Sequence, residues 1–485
     1  MKEQNRKPSE TLGNNTYLIY ALIILIGFSP IIFSHYAFMD DYTTLYYSLS
    51  GEGSTFQWDV LSGRPSYAVF RFIYQGLVHN IQDFSYVRAF TIVTVFIYCS
   101  LIHSFIVNRG ITKSKTVAFY LPIFLSFNPA ILVFTAWATC FPFILAMIAA
   151  LFSYQILTTT KVNSIFFRLI LSITLIVFSF SIYQPAGLTF LFFVFLDNCI
   201  TERSISYRKI LTSAMIVIIG MISAYLMAKV LPAVVYGETL ARASFTHDVA
   251  GKIHWFLTEA LVNALNNYNI KPSLWYTLFS TLIVAFSMYL TSKSSDGYKK
   301  VLLSLILIVG SYSSNLLVSE NWAAFRGLIG VELILTTYFC LGLLYIIGYI
   351  FKSREHMIPA AIIAMILLIT QNNLYSGFVR QQQGEYQALS QEISSRIAKD
   401  FKGDVFFDIK NPAFNIFTKI QRYDEFGNIS LATTWSPAGM ALSIKKTKGL
   451  QFNVNQNNAI IDNDKCDNCI IIKTGDIMRN AGLYY

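Results

Sequence analysis

The chain has 485 residues, of which 54% are hydrophobic and only 13% are charged, with a formal net charge of +10. Soluble domains average about 25% charged residues, so this composition excludes a single water-soluble enzyme as well as disordered, collagen-like and disulfide-scaffold proteins. Because the apolar residues come in long runs, we predict a polytopic membrane protein.

Charge is unevenly distributed along the chain. Of the first 374 residues, 40 are charged, about 11%, whereas 24 of the last 111 are charged, about 22%. The second fraction is typical of a soluble domain. We therefore predict a transmembrane body over 1–374, followed by a small water-soluble α/β domain over 375–485, called the tail below.

The apolar runs predict about eleven membrane-spanning helices. A helix rises 1.5 Å per residue, so about 20 apolar residues are needed to cross roughly 30 Å of hydrocarbon. Only helices and closed barrels satisfy their backbone groups in lipid, and these runs are too long and too evenly apolar for barrel strands. The predicted spans are 17–34, 88–107, 117–134, 140–157, 165–182, 186–201, 210–230, 273–290, 301–318, 327–350 and 357–374.

Basic residues before and between the spans predict the orientation, because cytoplasmic loops are enriched in Lys and Arg. Lys2, Arg6 and Lys7 precede the first span, and every second loop after it is basic. Those loops carry Arg109, Lys113 and Lys115, then Lys161, then Arg203, Arg208 and Lys209, then Lys293, Lys299 and Lys300, and finally Lys352 and Arg354. This pattern predicts a cytoplasmic N-terminus and a tail on the outer side of a bacterial inner membrane, which is the periplasm if the source is a Gram-negative bacterium. It also explains most of the positive charge, so no nucleic-acid partner is expected.

Three connecting segments on the predicted outer face carry unusual residues: the first (35–87), the second (231–272) and the third (319–326). The first contains Met39, Asp40, Asp41 and Tyr42 just after a predicted span. Repulsion and partial desolvation of two adjacent carboxylates are expected to raise at least one pKa. A carboxylate tuned in this way suits a general base, and the alternative is a solvated acidic turn or a helix cap.

The same segment continues with Ser62, Gly63, Arg64 and Pro65. Glycine frees the backbone and proline stiffens it, so Arg64 is expected to be a fixed cation near the membrane surface. The planar guanidinium suits a phosphate group. The alternatives are a contact with a lipid headgroup or an ion pair.

Two further clusters are predicted on the same face. Tyr183 and Gln184 precede a proline that ends an apolar helix, so the cluster is either a binding site or a tight turn. In the third segment, Glu320, Asn321 and Trp322 precede Arg326 at the start of a span. An arginine there is costly in hydrocarbon, so it is expected to contact protein, water or a lipid phosphate, or to extend to the interface.

The remaining polar candidates favour structural roles. In the second segment the charged or titratable residues are Glu238, Arg242, His247, Asp248, His254 and Glu259. Their spacing does not match a zinc site, so we predict a solvated loop or an interfacial amphipathic helix that includes Trp255 and Phe256. In the tail, Cys466 and Cys469 predict a local disulfide if this part of the chain lies outside the cytoplasm.

The order of these motifs resembles that of a known family. Met39-Asp40-Asp41-Tyr42, Gly63-Arg64-Pro65, Tyr183-Gln184-Pro185-Ala186, and Asn321-Trp322 with Arg326 together resemble the phage-type, serotype-converting O-antigen glucosyltransferases, which belong to the GT-C superfamily. The likeness covers roughly residues 17–330. The family usually has Gln followed directly by Ala, whereas Pro185 intervenes in this chain.

The resemblance implies a GT-C-like integral-membrane glucosyltransferase. Undecaprenyl-phosphate-glucose would be the donor, and a hydroxyl of a lipid-linked O-antigen repeat the acceptor, at the periplasmic face. Asp40 or Asp41 would be the catalytic base, and Arg64 and Arg326 would bind the donor phosphate. Substrate contacts would come from the other motif residues, Tyr42, Tyr183, Gln184, Glu320, Asn321 and Trp322.

No cofactor is expected from the resemblance. Two adjacent aspartates are able to bind a divalent metal ion, but a donor linked through a single phosphate carries no pyrophosphate that requires one. Three alternative functions stay open at this stage: a transporter or flippase for a lipid-linked sugar, an O-antigen polymerase, and a GT-C transferase for a different sugar.

Overall fold

The computed structural model describes residues 15–159, 164–238, 244–351, 356–409, 423–455 and 468–482. The helices of the body are α1 (Asn15–Ile32), α2 (Asp40–Ser50), α3 (Phe56–Leu61), α4 (Pro65–Gln75), α5 (Asp83–Arg109), α6 (Lys115–Ser126), α7 (Pro129–Ala136), α8 (Pro142–Thr158), α9 (Ile165–Ile182), α10 (Gln184–Gly187), α11 (Phe190–Phe195), α12 (Tyr207–Tyr236), α13 (Val249–Trp255), α14 (Leu261–Leu265), α15 (Leu274–Ser292), α16 (Gly297–Gly310), α17 (Ser313–Leu317), α18 (Phe325–Ile350) and α19 (Met357–Leu374). The tail adds α20 (Arg380–Arg396), β1 (Asp404–Asp408), α21 (Ser436–Lys448), β2 (Cys469–Lys473) and α22 (Thr474–Asn480).

Eight helical segments in the described part of the chain are long and apolar enough to cross a bilayer. They are Asn15–Ile32, Asp83–Arg109, Ala138–Thr158, Ile165–Ile182, Tyr207–Tyr236, Leu274–Ser292, Phe325–Ile350 and Met357–Arg396. Several expose apolar side chains on one face while burying apolar side chains on the other; in α1, Leu22 is 49% exposed and Phe28 is fully buried. A helix that is apolar all round is suited to lipid. The prediction of a multi-pass α-helical membrane protein is confirmed.

Three of the eleven predicted spans take other forms. The predicted span 117–134 consists of α6 and α7, which are bent by 51° relative to each other. Span 186–201 falls in the shorter apolar helix Gln184–Ile200. Span 301–318 begins in α16, whose 14 residues extend only about 21 Å at 1.5 Å per residue. The total of eleven therefore stays a prediction.

The bend between α6 and α7 has a local cause. The Asn128 side chain accepts a hydrogen bond from the Ile131 amide at 3.0 Å and so caps a new helix, with Pro129 as its first residue. Proline has no amide hydrogen and is therefore tolerated at this position. The Ala130 amide donates to the carboxylate of Glu332 at 3.1 Å, which joins the bend to the long helix α18.

The core of the body surrounds α18, in which every residue from Gly327 to Cys340 is buried. Its neighbours are α6, α7, α10, α11, α14, α15 and α16. The first turn of α18 is therefore anchored in the core on one side, while Arg326 in that turn lines the cavity described below.

The tail begins as a direct extension of the last span. Helix α19 continues through a π-helical turn, Tyr375–Val379, into α20 without interruption. The strands β1 and β2 pair in parallel, with Asp404 opposite Cys469. Cys469 is disulfide-bonded, whereas Cys466 lies outside the described residues. That the tail forms an α/β domain stays a prediction.

The tail and the first segment share one hydrophobic core. Tyr42 and Leu45 of α2 are fully buried together with Leu431, Met440 and Ile444 of the tail. The two helices touch closely: a Cβ atom built on Gly439 of α21 would lie 1.9 Å from the backbone oxygen of Tyr42. The tail is thus packed directly onto the segment that carries the predicted acidic motif.

The close approach at Gly439 leads to a stability prediction. Gly439→Ala should destabilise the tail–body contact by about 1–3 kcal/mol, because the backbone of Tyr42 would have to move. The thermal unfolding midpoint of the detergent-solubilised full chain would measure the effect. Gly475→Ala is the matched control, since nothing lies within 4 Å of the added atom; equal midpoints for the two variants would contradict the prediction.

Candidate active site

A cavity of about 1590 Å³ lies between the first segment, the turn at Tyr183, the third segment and the tail. Seven of the ten predicted site residues line it: Asp40, Arg64, Tyr183, Gln184, Glu320, Trp322 and Arg326. Asp41, Tyr42 and Asn321 are not among its lining residues. The structure therefore assembles motifs that are far apart in the sequence around one cavity.

Asp40 is the first residue of α2 and is half-buried at the cavity wall. Its backbone oxygen accepts hydrogen bonds from Arg71 Nη2 at 3.1 Å and from Thr44 Oγ1 at 3.3 Å. Within the described ranges, no hydrogen bond or ion pair reaches its carboxylate. The backbone of Asp40 is thus fixed, while its carboxylate is available to a ligand.

The turn before Asp40 is strained and is held by the tail. Met39 adopts φ 49° and ψ −110°, and a non-glycine residue in such a conformation costs about 1–3 kcal/mol. Its amide donates to Ser430 Oγ at 2.9 Å, and Ser436 Oγ donates to its backbone oxygen at 3.1 Å. Two tail serines therefore stabilise the backbone conformation from which Asp40 follows.

The serines are themselves positioned by a buried carboxyl group. Ser430 donates to the side-chain oxygen of Gln382, and Gln382 Nε2 donates to Glu385 Oε1 at 3.3 Å. The second oxygen of Glu385 accepts from the Leu431 amide at 2.8 Å. Burial raises the pKa of Glu385 from 4.5 to about 7, against the opposing effect of these hydrogen bonds.

Asp41 has a different environment from its neighbour. It is fully buried, and its carboxylate accepts hydrogen bonds from Thr139 N at 2.8 Å, from the Thr139 hydroxyl and from Phe38 N at 3.0 Å. Burial raises its pKa from 3.8 to about 6, and the hydrogen bonds from Thr139 oppose this change. The predicted raised pKa is confirmed for one of the two aspartates. Its cause is burial, and the group anchors the turn from inside the protein.

Arg64 occupies a turn that packs against α12. Gly63 has φ +75°, and a Cβ atom there would lie 2.7 Å from Ala228 Cβ, so a side chain is excluded. Gln184 Nε2 donates to the backbone oxygen of Gly63 at 3.3 Å, which connects two of the predicted motifs. The Arg64 guanidinium lies 5.1 Å from the ring centre of Tyr183.

Arg64 has no close ion pair among the described residues, although its charge opposes the rise that burial causes in the pKa of Asp59. Its Nε is buried without a hydrogen-bond partner, and no carboxylate of the described chain lies within 4 Å of the guanidinium. A buried donor without an acceptor costs about 1–3 kcal/mol, and more when it is charged. The geometry of Arg64 therefore suits an anionic ligand in the cavity.

Arg326 is placed by protein contacts on three sides. Its guanidinium lies 5.0 Å from the ring centres of both Trp137 and Trp322, and its Nε lies 3.0 Å from Glu425 Oε1 of the tail. The neighbouring Asp424 accepts a hydrogen bond from the Phe325 amide at 2.7 Å and so caps the start of α18. Arg326 thus contacts protein, one of the alternatives expected for it.

Sequence reasoning missed a buried ion pair beneath Asp40. Arg71 Nη1 and Asp59 Oδ1 lie 3.1 Å apart, with side-chain exposures of 4% and 5%. Arg71 also donates to Thr44 Oγ1 at 3.1 Å, and burial raises the pKa of Asp59 although Arg71 opposes the change. A signal was present, because Asp59, Arg64 and Arg71 are the only Asp, Glu, Lys or Arg residues between positions 53 and 82.

Glu425, Asp424 and Trp137 were also missed, for a different reason. They line the cavity, yet Glu425 and Asp424 come from the tail, about 100 residues beyond their partners on α18. No local pattern in the sequence connects these positions. Only the folded tail brings them to the same cavity.

The second segment supports the third. Lys252 Nζ donates to the backbone oxygen of Glu320 and to Asn321 Oδ1, both at 2.7 Å. Asp248 caps α13 by accepting from the Gly251 amide at 2.8 Å. Trp255 is 5% exposed and stacks on Tyr312, so its ring packs against the protein; that this segment is an interfacial amphipathic helix stays a prediction.

Several predictions fall on residues that the structure does not describe, namely Lys2, Arg6, Lys7, Lys161, Arg242, Lys352, Arg354 and Cys466. Within the described ranges, no group of three or more His, Cys, Asp and Glu side chains is arranged to hold a metal ion. Tyr42 is buried in the core shared with the tail and does not face the cavity. No protein-family model matches the chain, and no curated protein matches it.

The cavity brings together several kinds of ligand-binding group. Among the described residues, it offers a carboxylate and a guanidinium that have no oppositely charged group within 4 Å, and aromatic walls from Trp137, Tyr183 and Trp322. Pockets of this kind, mostly apolar with a few convergent polar groups, are typical of ligand sites.

The raised pKa of Glu385 leads to a prediction about pH. A carboxyl group whose pKa is raised on folding holds its proton more tightly in the folded state, so its contribution to stability is largest at low pH and is lost as pH rises through the folded pKa. The free energy of unfolding should therefore fall between about pH 5 and about pH 8, and this group contributes at most about 1.4 kcal/mol per pH unit to the fall. The thermal unfolding midpoint should fall over the same pH range. In Glu385→Gln the fall should be shallower, and parallel curves for wild type and variant would contradict the prediction.

Proposed function

We propose that this chain is an integral-membrane glycosyltransferase of the GT-C type. It transfers a sugar from a polyprenyl-phosphate-linked donor to a hydroxyl group of a lipid-linked glycan. One observation carries the proposal: Asp40 and Arg64 line the same cavity, and neither the carboxylate nor the guanidinium has an oppositely charged partner among the described residues. The assignments of glucose as the donor sugar and of an O-antigen repeat as the acceptor rest on the motif resemblance.

The reaction needs a base and a stabilised leaving group. Asp40 accepts the proton of the acceptor hydroxyl, and the acceptor oxygen forms a bond to the anomeric carbon of the donor sugar. The bond between that carbon and the phosphate oxygen breaks, and its electron pair leaves with the polyprenyl phosphate. Arg64 stabilises the developing negative charge, because a fixed cation at a water-poor site needs no reorganisation during the reaction.

The two aspartates and the two arginines have different roles in this proposal. Asp40 is assigned as the base because it lines the cavity, whereas Asp41 is enclosed by Thr139 and Phe38 and positions the turn. Arg64 is assigned as the main phosphate ligand because Arg326 is already ion-paired with Glu425. Arg326 is retained as a second contact at the same cavity.

Apolar side chains on one wall of the cavity support the choice of a lipid-linked donor. Phe180 comes from α9, and Met221, Ala224 and Tyr225 come from α12. Both helices are membrane-span candidates, and Tyr225 is 46% exposed. A polyprenyl chain could reach the bilayer along this wall while its phosphate lies near Arg64.

The substitution Asp40→Asn tests the base. The initial rate of transfer by the full-length protein in proteoliposomes should fall roughly 10²- to 10⁴-fold, the usual contribution of a general base.

Arg64→Gln tests the phosphate ligand and should also lower the rate of transfer, by roughly 10²- to 10³-fold, because the charge that stabilises the leaving group is lost. The measurement is the initial rate of sugar transfer from a radiolabelled polyprenyl-phosphate donor.

Controls separate chemistry from folding. Glu52→Gln changes an exposed carboxylate of the same segment that does not line the cavity, and it should keep the wild-type rate. Asp41→Asn should lower the unfolding midpoint, because the NH2 group of the new side chain would face the N–H donor of Phe38 and one hydrogen bond would be lost. A wild-type rate in Asp40→Asn would refute the base assignment, and an unchanged glycan composition in cells with and without the protein would refute the transferase itself.

The proposed site requires the cavity to face the periplasm. We infer this orientation from the alternating basic loops, with the N-terminus in the cytoplasm. Alkaline phosphatase fused directly after Arg396, where α20 ends, should be active, because this enzyme requires an oxidising compartment. A fusion after Gly110 is the matched control and should be inactive; the reverse pattern would overturn the orientation.

A further inference from the structure

Trp435 is a large aromatic residue of the tail that is only partly covered by the rest of the protein. It lines the cavity and is 40% exposed. Among the described residues, its ring makes no stacking or cation–π contact. Three other tryptophans line the cavity: Trp137 and Trp322 enclose Arg326, and Trp58 belongs to α3 of the first segment.

The position of Trp435 is tied to that of Asp40. Its neighbour Ser436 donates to the backbone oxygen of Met39 at 3.1 Å, and Met39 directly precedes Asp40. Helix α21 begins at Ser436, and its Gly439 lies against the backbone of Tyr42. The ring of Trp435 and the carboxylate of Asp40 are thus presented to the same cavity by two segments that are hydrogen-bonded to each other.

The two residues that precede Trp435 in the chain are polar and uncharged. Thr433 and Thr434 line the cavity beside it, and Thr434 is exposed. The face of an aromatic ring carries negative partial charge and accepts the slightly positive C–H groups of a sugar ring. Hydroxyl groups at the rim of the ring would pair with the hydroxyls of the same sugar. An uncharged aromatic–hydroxyl surface of this kind matches a saccharide better than a phosphate.

We propose that Trp435, with Thr434, forms the binding subsite for the acceptor saccharide. A sugar ring of the acceptor stacks on Trp435, which places one of its hydroxyl groups, or that of the next sugar, within reach of Asp40. This inference rests on the proposed function, since it assigns the acceptor side of the same cavity. It also gives the tail a role in specificity that the body does not supply.

Steady-state kinetics test the subsite. In the full-length protein in proteoliposomes, Trp435→Ala should raise the KM for the acceptor roughly three- to tenfold, the effect expected from losing one aromatic contact. The KM for the polyprenyl-phosphate donor should not change. Trp435→Phe keeps a ring and should restore most of the acceptor affinity. Trp275→Ala is the matched control, because Trp275 is 81% exposed on α15 and does not line the cavity.

A binding measurement separates this inference from the proposed function. The protein labelled with 5-fluorotryptophan is titrated with polysaccharide that mild acid releases from lipopolysaccharide of a strain lacking this protein. The ¹⁹F signal that Trp435→Phe removes should shift with added saccharide, whether or not transfer occurs. If Asp40→Asn abolishes transfer but Trp435→Ala leaves the acceptor KM and this signal unchanged, the subsite is refuted while the function stands. A change in the donor KM alone would assign Trp435 to the lipid side and would likewise overturn the proposal.

Discussion

The site depends on one contact above all, the pair of hydrogen bonds by which Ser430 and Ser436 of the tail hold the strained backbone of Met39. Without them, a non-glycine residue at φ 49° would relax at a gain of about 1–3 kcal/mol, and Asp40 would move with it. The constraint explains why the tail packs so closely on the first segment. It also explains why Glu385 is buried there, since its carboxyl group positions the loop that carries Ser430.

Charges around the cavity fall into two groups, and the difference between them is informative. Two ion pairs make up the first group. Asp59 and Arg71 are both buried, whereas in the second pair Glu425 is buried and Arg326 is partly exposed. Pairing is what makes burial of such groups tolerable, because each lone charge would lose several kcal/mol of hydration. Asp40 is not neutralised in this way, and neither is Arg64. Around this cavity, Asp40 and Arg64 therefore differ from the two ion pairs, and among the described residues they form the part of its charged surface that is open to a polar ligand.

Most of the residues chosen from the sequence line one cavity in the structure, whereas only eight of the eleven predicted spans correspond to long apolar helices in the described chain. Motif residues such as Arg64 and Gln184 could be chosen because glycine, proline and charge stand out in an apolar chain, and the structure places them together. Asp41 shows the limit of that approach. It looks equivalent to Asp40 in the sequence, yet α2 turns one carboxylate to the cavity and the other towards Thr139. A difference of one position on a helix is about 100°, and no composition argument resolves it.

By itself, the sequence determined that the protein is a multi-pass helical membrane protein, because runs of about 20 apolar residues have few other stable forms. It also determined which polar residues are unusual in such a chain. Only the tertiary structure decided which of them share a cavity and which are neutralised. Glu425 and Ser436 illustrate the reason, since they reach Arg326 and Met39 from about 100 and 400 residues away. Such contacts depend on how the tail packs against the body, and that packing leaves no periodic or local signal in the sequence.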